Sequence, residues 1–416
     1  MSPGAFEIDF DQIYFAGDLN NRRLTINDYP SLQLISRTEA LNQAVEAVYK
    51  GDNSELIPAL FETYNSNLHK AVSGVDPEAA KLLKNNLTRM AAAKANYTAQ
   101  LLQRARADKN GVIRPKAVYQ KEAKKIISRA NTTQAAEYNA AVHRTRIYKQ
   151  MNRFQETKRL FPNIEWLRTR SASPREVHLA YVGRVWPMDD PFLQTNHPGC
   201  VWGCKCDWKN TDKPATDNQD LKPVPASPGL EGNPATTNEI FTDKHPYFKR
   251  VDKHIPDLGV LHNSDDIAYL NKETNGIKYQ LHFNAQKEFN EINVRYLPLI
   301  NRAGFKNIKF LPQIDRKETV LRERYFGQKI ISSSKCPDTL CDGLFVELKA
   351  VKNSGRKTRR NIINEIGDAA KKSDVVILIS EKELDFNQIA ETQFKIHPNL
   401  QRIVIFFNDK MFDFLP

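Results

Sequence analysis

The sequence predicts a multidomain chain: a mostly α N-terminal region, then an α/β domain built on a mixed central sheet. Three observations carry this expectation. From about Thr38 to Tyr148 the chain is dominated by strong helix formers, with alanine runs at Ala91-Ala92-Ala93, Ala135-Ala136 and Ala140-Ala141. Residues 213–245 are dense in Pro, Asp, Asn, Ser and Thr, a composition that predicts a semi-stiff tether. Beyond them, helical periodicity alternates with short apolar, β-favouring runs, the pattern of a sheet covered by helices. A length of 416 residues accommodates two or three such domains.

In chain order, residues 1–35 are expected to be irregular, with turn signals at Asn20-Asn21, Asn27-Asp28 and Tyr29-Pro30. Gly51, Asp76-Pro77 and Lys109-Asn110-Gly111 then divide the helical region into three to five helices. No catalytic grouping stands out there, so packing or assembly is its expected role. The predicted boundaries are 1–140 for the helical region, 141–212 for a second block, 213–245 for the tether and 246–416 for the α/β domain.

The second block holds an ordered set of motifs. Arg144-Thr145-Arg146 is followed by Pro174-Arg175-Glu176-Val177-His178 and Gly183-Arg184-Val185-Trp186-Pro187. Next come Asp189-Asp190-Pro191-Phe192 and Pro198-Gly199-Cys200-Val201-Trp202-Gly203-Cys204-Lys205-Cys206. This order resembles the head-morphogenesis (MuF) domain of tailed phages, which shows an R-x-x-H, a glycine, a D-P-F-like step and a terminal W-x-C-[RK]-C. Cys200 and the spacing around Val201-Trp202 depart from that pattern. The resemblance implies a minor head protein with phage portal and head proteins as partners, made in the bacterial cytoplasm and carried in the virion.

Five cysteines, three of them clustered, argue against a secreted disulfide framework. Cys200, Cys204 and Cys206 with His197, or with His178, form an N/S set of the kind that binds Zn2+. Buried, unligated thiols are the plainer alternative.

In the α/β domain, Phe289, Ile292, Tyr296, Leu299 and Ile300 recur at helical spacing, and Gly304 suits the helix end. A short strand is expected over Ile308–Leu311. Asp342-Gly343 signals a hairpin turn, and the strand after it places Glu347 and Lys349 on one face and Leu348 on the other. Asp338, ending the incoming strand, comes beside that face. A helix is expected from about Arg360 to Lys372, then strands over Val375–Ile379 and Arg402–Phe407. Two carboxylates suit a hard divalent cation, and a lysine beside them suits phosphodiester hydrolysis.

Pro337-Asp338 followed by Glu347-x-Lys349, within helix, hairpin, helix, strand, resembles the PD-(D/E)xK nuclease superfamily. It is closest to the tRNA-cleaving toxin domains of contact-dependent inhibition proteins, over about residues 285–408. The resemblance implies Asp338 and Glu347 as ligands of Mg2+ or Mn2+, Lys349 orienting the attacking water, and Glu291 (or Glu288, one turn earlier) assisting. Asp342 is assigned to the turn. Lys352, Arg356, Lys357, Arg359 and Arg360 follow with no intervening acid, a solvated loop or a nucleic-acid contact.

Together the two halves resemble the MuF polymorphic toxins of phages and prophages. That implies a metal-dependent endonuclease acting in a target-cell cytoplasm on RNA, tRNA favoured, and a cognate immunity protein. The alternatives are a structural head protein with an inactive nuclease fold, and a DNA-processing nuclease. A net charge of +12, spread evenly over both halves, is compatible with nucleic acid but does not select it. Neither a cleaved signal nor a membrane-spanning run is expected.

Overall fold

A computed structural model of the chain describes residues 39–169, 176–252, 254–285, 289, 291–330, 335–353 and 355–416. The expected irregular start, 1–35, lies outside them. The chain divides into two compact units, Met1–Val260 and Leu261–Pro416.

In the first unit, α1 (Glu39–Lys50), α2 (Leu56–His69), α3 (Pro77–Ala105) and α4 (Lys116–Thr157) form an α-helical assembly. The breaks fall where the sequence predicts. Asp76 caps α3, its carboxylate accepting from the backbone N–H groups of Glu78 (3.0 Å) and Ala79 (3.3 Å), with Pro77 in the first turn. Buried Ala91, Ala93, Ala95 and Ala99 line α3 among Leu60, Tyr64 and Leu87, small residues that let helix backbones approach. The expected boundary at 140/141 falls inside α4, a continuous helix, so the helical region and the second block share one element.

The second block is a small antiparallel sheet, in the order β2-β1-β3, of β1 (Asn163–Leu167), β2 (Val185–Pro187) and β3 (Asp207–Thr211). Trp166, Trp186, Trp208, Tyr181 and Phe192 fill its core together with Ile147 and Met151 from α4.

The tether expected over 213–245 is instead docked onto the first unit. Leu230, Ile240 and Phe241 are buried in the helical core. The Asn86 side chain accepts from Ile240 N and Phe241 N, each at 2.9 Å, and donates to Phe241 O at 2.8 Å. Arg144, wholly buried, donates to the carbonyls of Leu230, Gly232 and Glu239 at 2.7, 3.0 and 3.2 Å. Composition misleads here because partners supplied by other segments satisfy the backbone of this stretch, which needs few apolar residues of its own. Helix α5 (His254–Leu261) follows, its Gly259 close against Ala92.

The second unit is a mixed eight-stranded sheet between helices, in the order β11-β10-β9-β8-β7-β6-β5-β4. Its strands are β4 (Tyr269–Thr274), β5 (Ile277–His282), β6 (Ile308–Phe310), β7 (Thr339–Cys341), β8 (Leu344–Val351), β9 (Val375–Ser380), β10 (Arg402–Phe407) and β11 (Lys410–Phe414). Helices α6 (Glu291–Arg302), α7 (Thr319–Phe326), α8 (Thr358–Ala370) and α9 (Phe386–Ile396) complete it. One sheet face, with Val346, Leu348, Val375 and Ile377, packs on Tyr296, Leu297 and Ile300 of α6. The other, with Val376, Leu378, Ile403 and Ile405, packs on α8 and α9. The β4–β5 hairpin lies where the sequence signals only a lead-in, and α9 and β11 were not anticipated either.

Candidate functional site

The site in the second unit grows from the β7–β8 hairpin. Asp342 and Gly343 both take positive φ, 48° and 87°, the conformation of a tight hairpin turn. The Asp342 carboxylate accepts from the backbone of Lys306 and Asn307, each at 3.0 Å. These bonds hold it below the usual carboxylate range. Asp342 therefore builds the turn, as its assignment predicts.

Strands β8 and β9 are parallel, with Glu347 opposite Val376 and Lys349 opposite Leu378. That register sets Glu347 and Lys349 on the α8 face and Leu348 on the α6 face. Glu347 is buried, 1% exposed. Its Oε1 meets Lys372 Nζ at 2.6 Å and Lys349 Nζ at 3.3 Å. Its Oε2 is buried without a hydrogen-bond partner. Burial first, then the neighbouring Asp338 carboxylate, push Glu347 above the ordinary carboxylate range, against the pull of the two lysines. Asp338 precedes β7, and its Oδ2 accepts from Leu348 N at 3.3 Å. Lys349 also reaches Glu365 Oε2 of α8 at 3.4 Å. Although burial opposes it, the carboxylates of Glu347 and Glu365 keep Lys349 above its usual range. The structure thus brings Asp338, Glu347 and Lys349 together.

Two buried cations fix the approach to Asp338. Arg322 of α7 donates to Ile314 O (2.5 Å), Lys335 O (3.1 Å) and Ile330 O (3.2 Å). Lys372 donates to Cys336 O at 2.8 Å. Tyr296 on α6 is buried, and burial together with Asp338, Glu347 and Glu365 pushes its phenol up to about 12. Lys372 and Glu365 went unnoticed in the sequence, yet a signal exists. Lys372 continues the apolar stripe Ile362, Ile366, Ala369, and a charge at a stripe position asks for a partner. The side chains of Glu291 and Glu288 lie outside the described residues. Lys352, Arg356, Lys357, Arg359 and Arg360 are all exposed. Arg359 and Arg360 fall in the first turn of α8, which has no acidic residue, so their charge adds to the positive helix end.

In the first unit the cysteine cluster differs from the expected zinc set. His178 Nδ1 lies 3.7 Å from Cys204 Sγ and 3.5 Å from Cys206 Sγ, and these three donor atoms all lie within 4.8 Å of one another. Cys200 is buried outside that group, and burial pushes its thiol up to about 12. His197 does not belong to it either. Its Nδ1 faces Pro198 O at 2.9 Å, its Nε2 faces Arg144 at 3.5 Å, and burial holds it neutral, with a pKa of about 3. The sequence offers His197 and His178 as alternatives; the fold brings in His178, 26 residues from Cys204, from the helical turn Glu176–Leu179.

Residues 38–209 match the family model described as Phage Mu protein F like protein. The chain carries a MuF-like head-morphogenesis domain. The match begins at α1 and ends in β3, so this MuF-like domain takes in the helices as well as the tryptophan-rich sheet. No curated protein and no solved structure matches the chain. Among the described residues no helix is long and apolar enough to cross a membrane.

Proposed function

We propose that the chain is a phage or prophage head protein whose second unit is a divalent-metal-dependent nuclease of the PD-(D/E)xK type. The observation that carries this reading is the convergence of Asp338, Glu347 and Lys349, with one Glu347 oxygen buried and unpartnered. Asp338 and Glu347 would hold Mg2+ or Mn2+, which supplies Lewis-acid polarisation of the phosphate and a bound water of lowered pKa. Lys349, held between Glu347 and Glu365, would orient the attacking water and stabilise charge on the phosphate. Lys372 would hold Glu347 from behind, and with Arg322 it would fix the backbone that leads into Asp338. The exposed cations from Lys352 to Arg360 would receive the nucleic-acid backbone.

The toxin resemblance favours RNA, and tRNA within it. The partners on this reading are portal and head proteins for the MuF-like domain and an acidic immunity protein for the nuclease. The chain would travel with the virion and act in the cytoplasm of a target cell. A second reading, an inactive nuclease fold in a structural head protein, is favoured by one contact: the Lys372 ammonium already occupies Glu347 Oε1.

The test incubates the full chain, wild type and Asp338→Ala, with total RNA and with duplex DNA, in magnesium or in EDTA. Expected is tRNA cleavage that requires both metal and Asp338, with at least about a hundredfold loss in the variant. Cleavage of DNA alone would turn the reading to a DNA-processing enzyme or DNase toxin. No cleavage by folded protein would favour the structural reading.

A further inference from the structure

We propose that the MuF-like domain binds one structural zinc ion through His178 Nδ1, Cys204 Sγ and Cys206 Sγ, with His143 Nε2 closing the fourth position. The spacing fits. Zinc bonds of about 2.0–2.3 Å in a tetrahedron separate neighbouring donors by roughly 3.3–3.8 Å, and His178 Nδ1 stands 3.5 and 3.7 Å from the two sulfurs.

His143 supplies the second, independent observation. It projects from α4, and its Nε2 is buried with no hydrogen-bond partner. It neighbours Cys204, as does His178. Gly199, at φ 89°, packs against this ring, since a Cβ there would meet His143 Cδ2 at 3.0 Å. Two thiolates and two neutral imidazoles would cancel the charge of Zn2+ and leave no net charge buried. The buried Trp166 indole N–H, next to Cys206, would act as an outer support.

The purpose is architectural. The MuF-like sheet has three short strands, and the ligands come from α4, the helical turn Glu176–Leu179 and the segment entering β3. One ion would cross-link all three, a contribution that small cores often obtain from metals.

The test is zinc analysis of the untagged full chain purified without chelator, then cobalt substitution of the stripped protein. Expected are about one zinc per chain and a tetrahedral cobalt spectrum with thiolate charge-transfer bands. Cys206→Ser should lose both. His143→Asn should keep the thiolate bands, alter the ligand-field bands and weaken zinc by about tenfold or more, a spectral signature that misfolding would not produce. Wild-type protein with no zinc and no cobalt spectrum would overturn the proposal, whether Cys204 is then found as a reactive free thiol or in a disulfide. A His143→Asn cobalt spectrum identical to wild type would overturn the assignment of the fourth ligand.

Discussion

Each unit buries a Lys–Glu pair, and the two pairs are finished differently. In the MuF-like unit Lys94 Nζ meets Glu137 Oε2 at 2.7 Å and also donates to Thr133 Oγ1 (3.1 Å) and Ala130 O (3.2 Å). The other Glu137 oxygen accepts from Tyr247 OH at 3.0 Å. Lys94 further stacks on Tyr64, 4.6 Å from the ring centroid. In the second unit Lys372 meets Glu347 at 2.6 Å, but Glu347 Oε2 has no hydrogen-bond partner and a second carboxylate stands nearby. A buried ion pair is tolerated when each donor and acceptor is matched. The Lys94–Glu137 pair meets that condition and reads as structure. Glu347 does not, and a perturbed carboxylate left short of partners marks a candidate binding site.

The largest expected effect breaks the finished pair. Lys94→Met leaves Glu137 buried and uncompensated and should destabilise the first unit by about 3–5 kcal/mol in urea unfolding. The double variant Lys94→Met/Glu137→Leu should recover most of that loss. Glu347→Gln should cost less, about 1–2 kcal/mol, because it relieves repulsion with Asp338 and the Gln amide oxygen can still accept from Lys372. A Glu347→Gln loss as large as that of Lys94→Met would erase the distinction between the two pairs.

A smaller effect follows from pH. His245 is buried beside Trp202, Phe241 and Tyr247. Burial, with a minor push from Lys94, lowers its pKa to about 3. In the second unit, burial lowers His282, paired with Tyr325, to about 3 as well. Unfolded histidine takes up its proton near pH 6.5, so from there down towards pH 3 the unfolded state binds more protons. Stability that is complete above pH 6.5 is therefore lost as the pH falls through that window. At about pH 5 each histidine should account for roughly 1–2 kcal/mol. Unfolding at pH 7 and pH 5 should show a shallower pH dependence of the first unit in His245→Gln, with the second unit unchanged. An unaltered slope would mean that His245 is already protonated in the fold.

How far the sequence could be read depended on whether a feature was local. The Asp338–Glu347–Lys349 grouping was legible because strand alternation and a two-residue turn fix it within twelve positions. The breaks before and after α3 were legible because Asp76, Pro77 and Gly111 act on their own backbone. The docking of 213–245 was not, because Arg144 and Asn86 satisfy it from far along the chain. His178 was favoured no more than His197 for the same reason: spacing cannot say which of two histidines the fold will turn towards Cys204. Lys372 lies between, with a helical-phase signal that points to a buried charge but not to its partner.

The smallest expected effect concerns what lies beside the unfinished pair. Arg359 and Arg360 begin α8, the helix that carries Glu365 to Lys349, and they are exposed at its positive end. If this face receives nucleic acid, each phosphate they neutralise releases a counterion and steepens the salt dependence by about 0.7 for a single strand or 0.9 for a duplex. Arg359 also donates to Gln388 Oε1 at 2.9 Å, so its share is the lesser one. Binding measured in EDTA across a range of salt should therefore show a log–log slope reduced by about 1–1.5 in Arg359→Ala/Arg360→Ala. The same substitutions should leave thermal unfolding of the second unit within about 0.5 kcal/mol, as expected for exposed side chains. A slope equal to wild type would make this run an ordinary solvated surface and move the approach of any substrate to another side of Glu347.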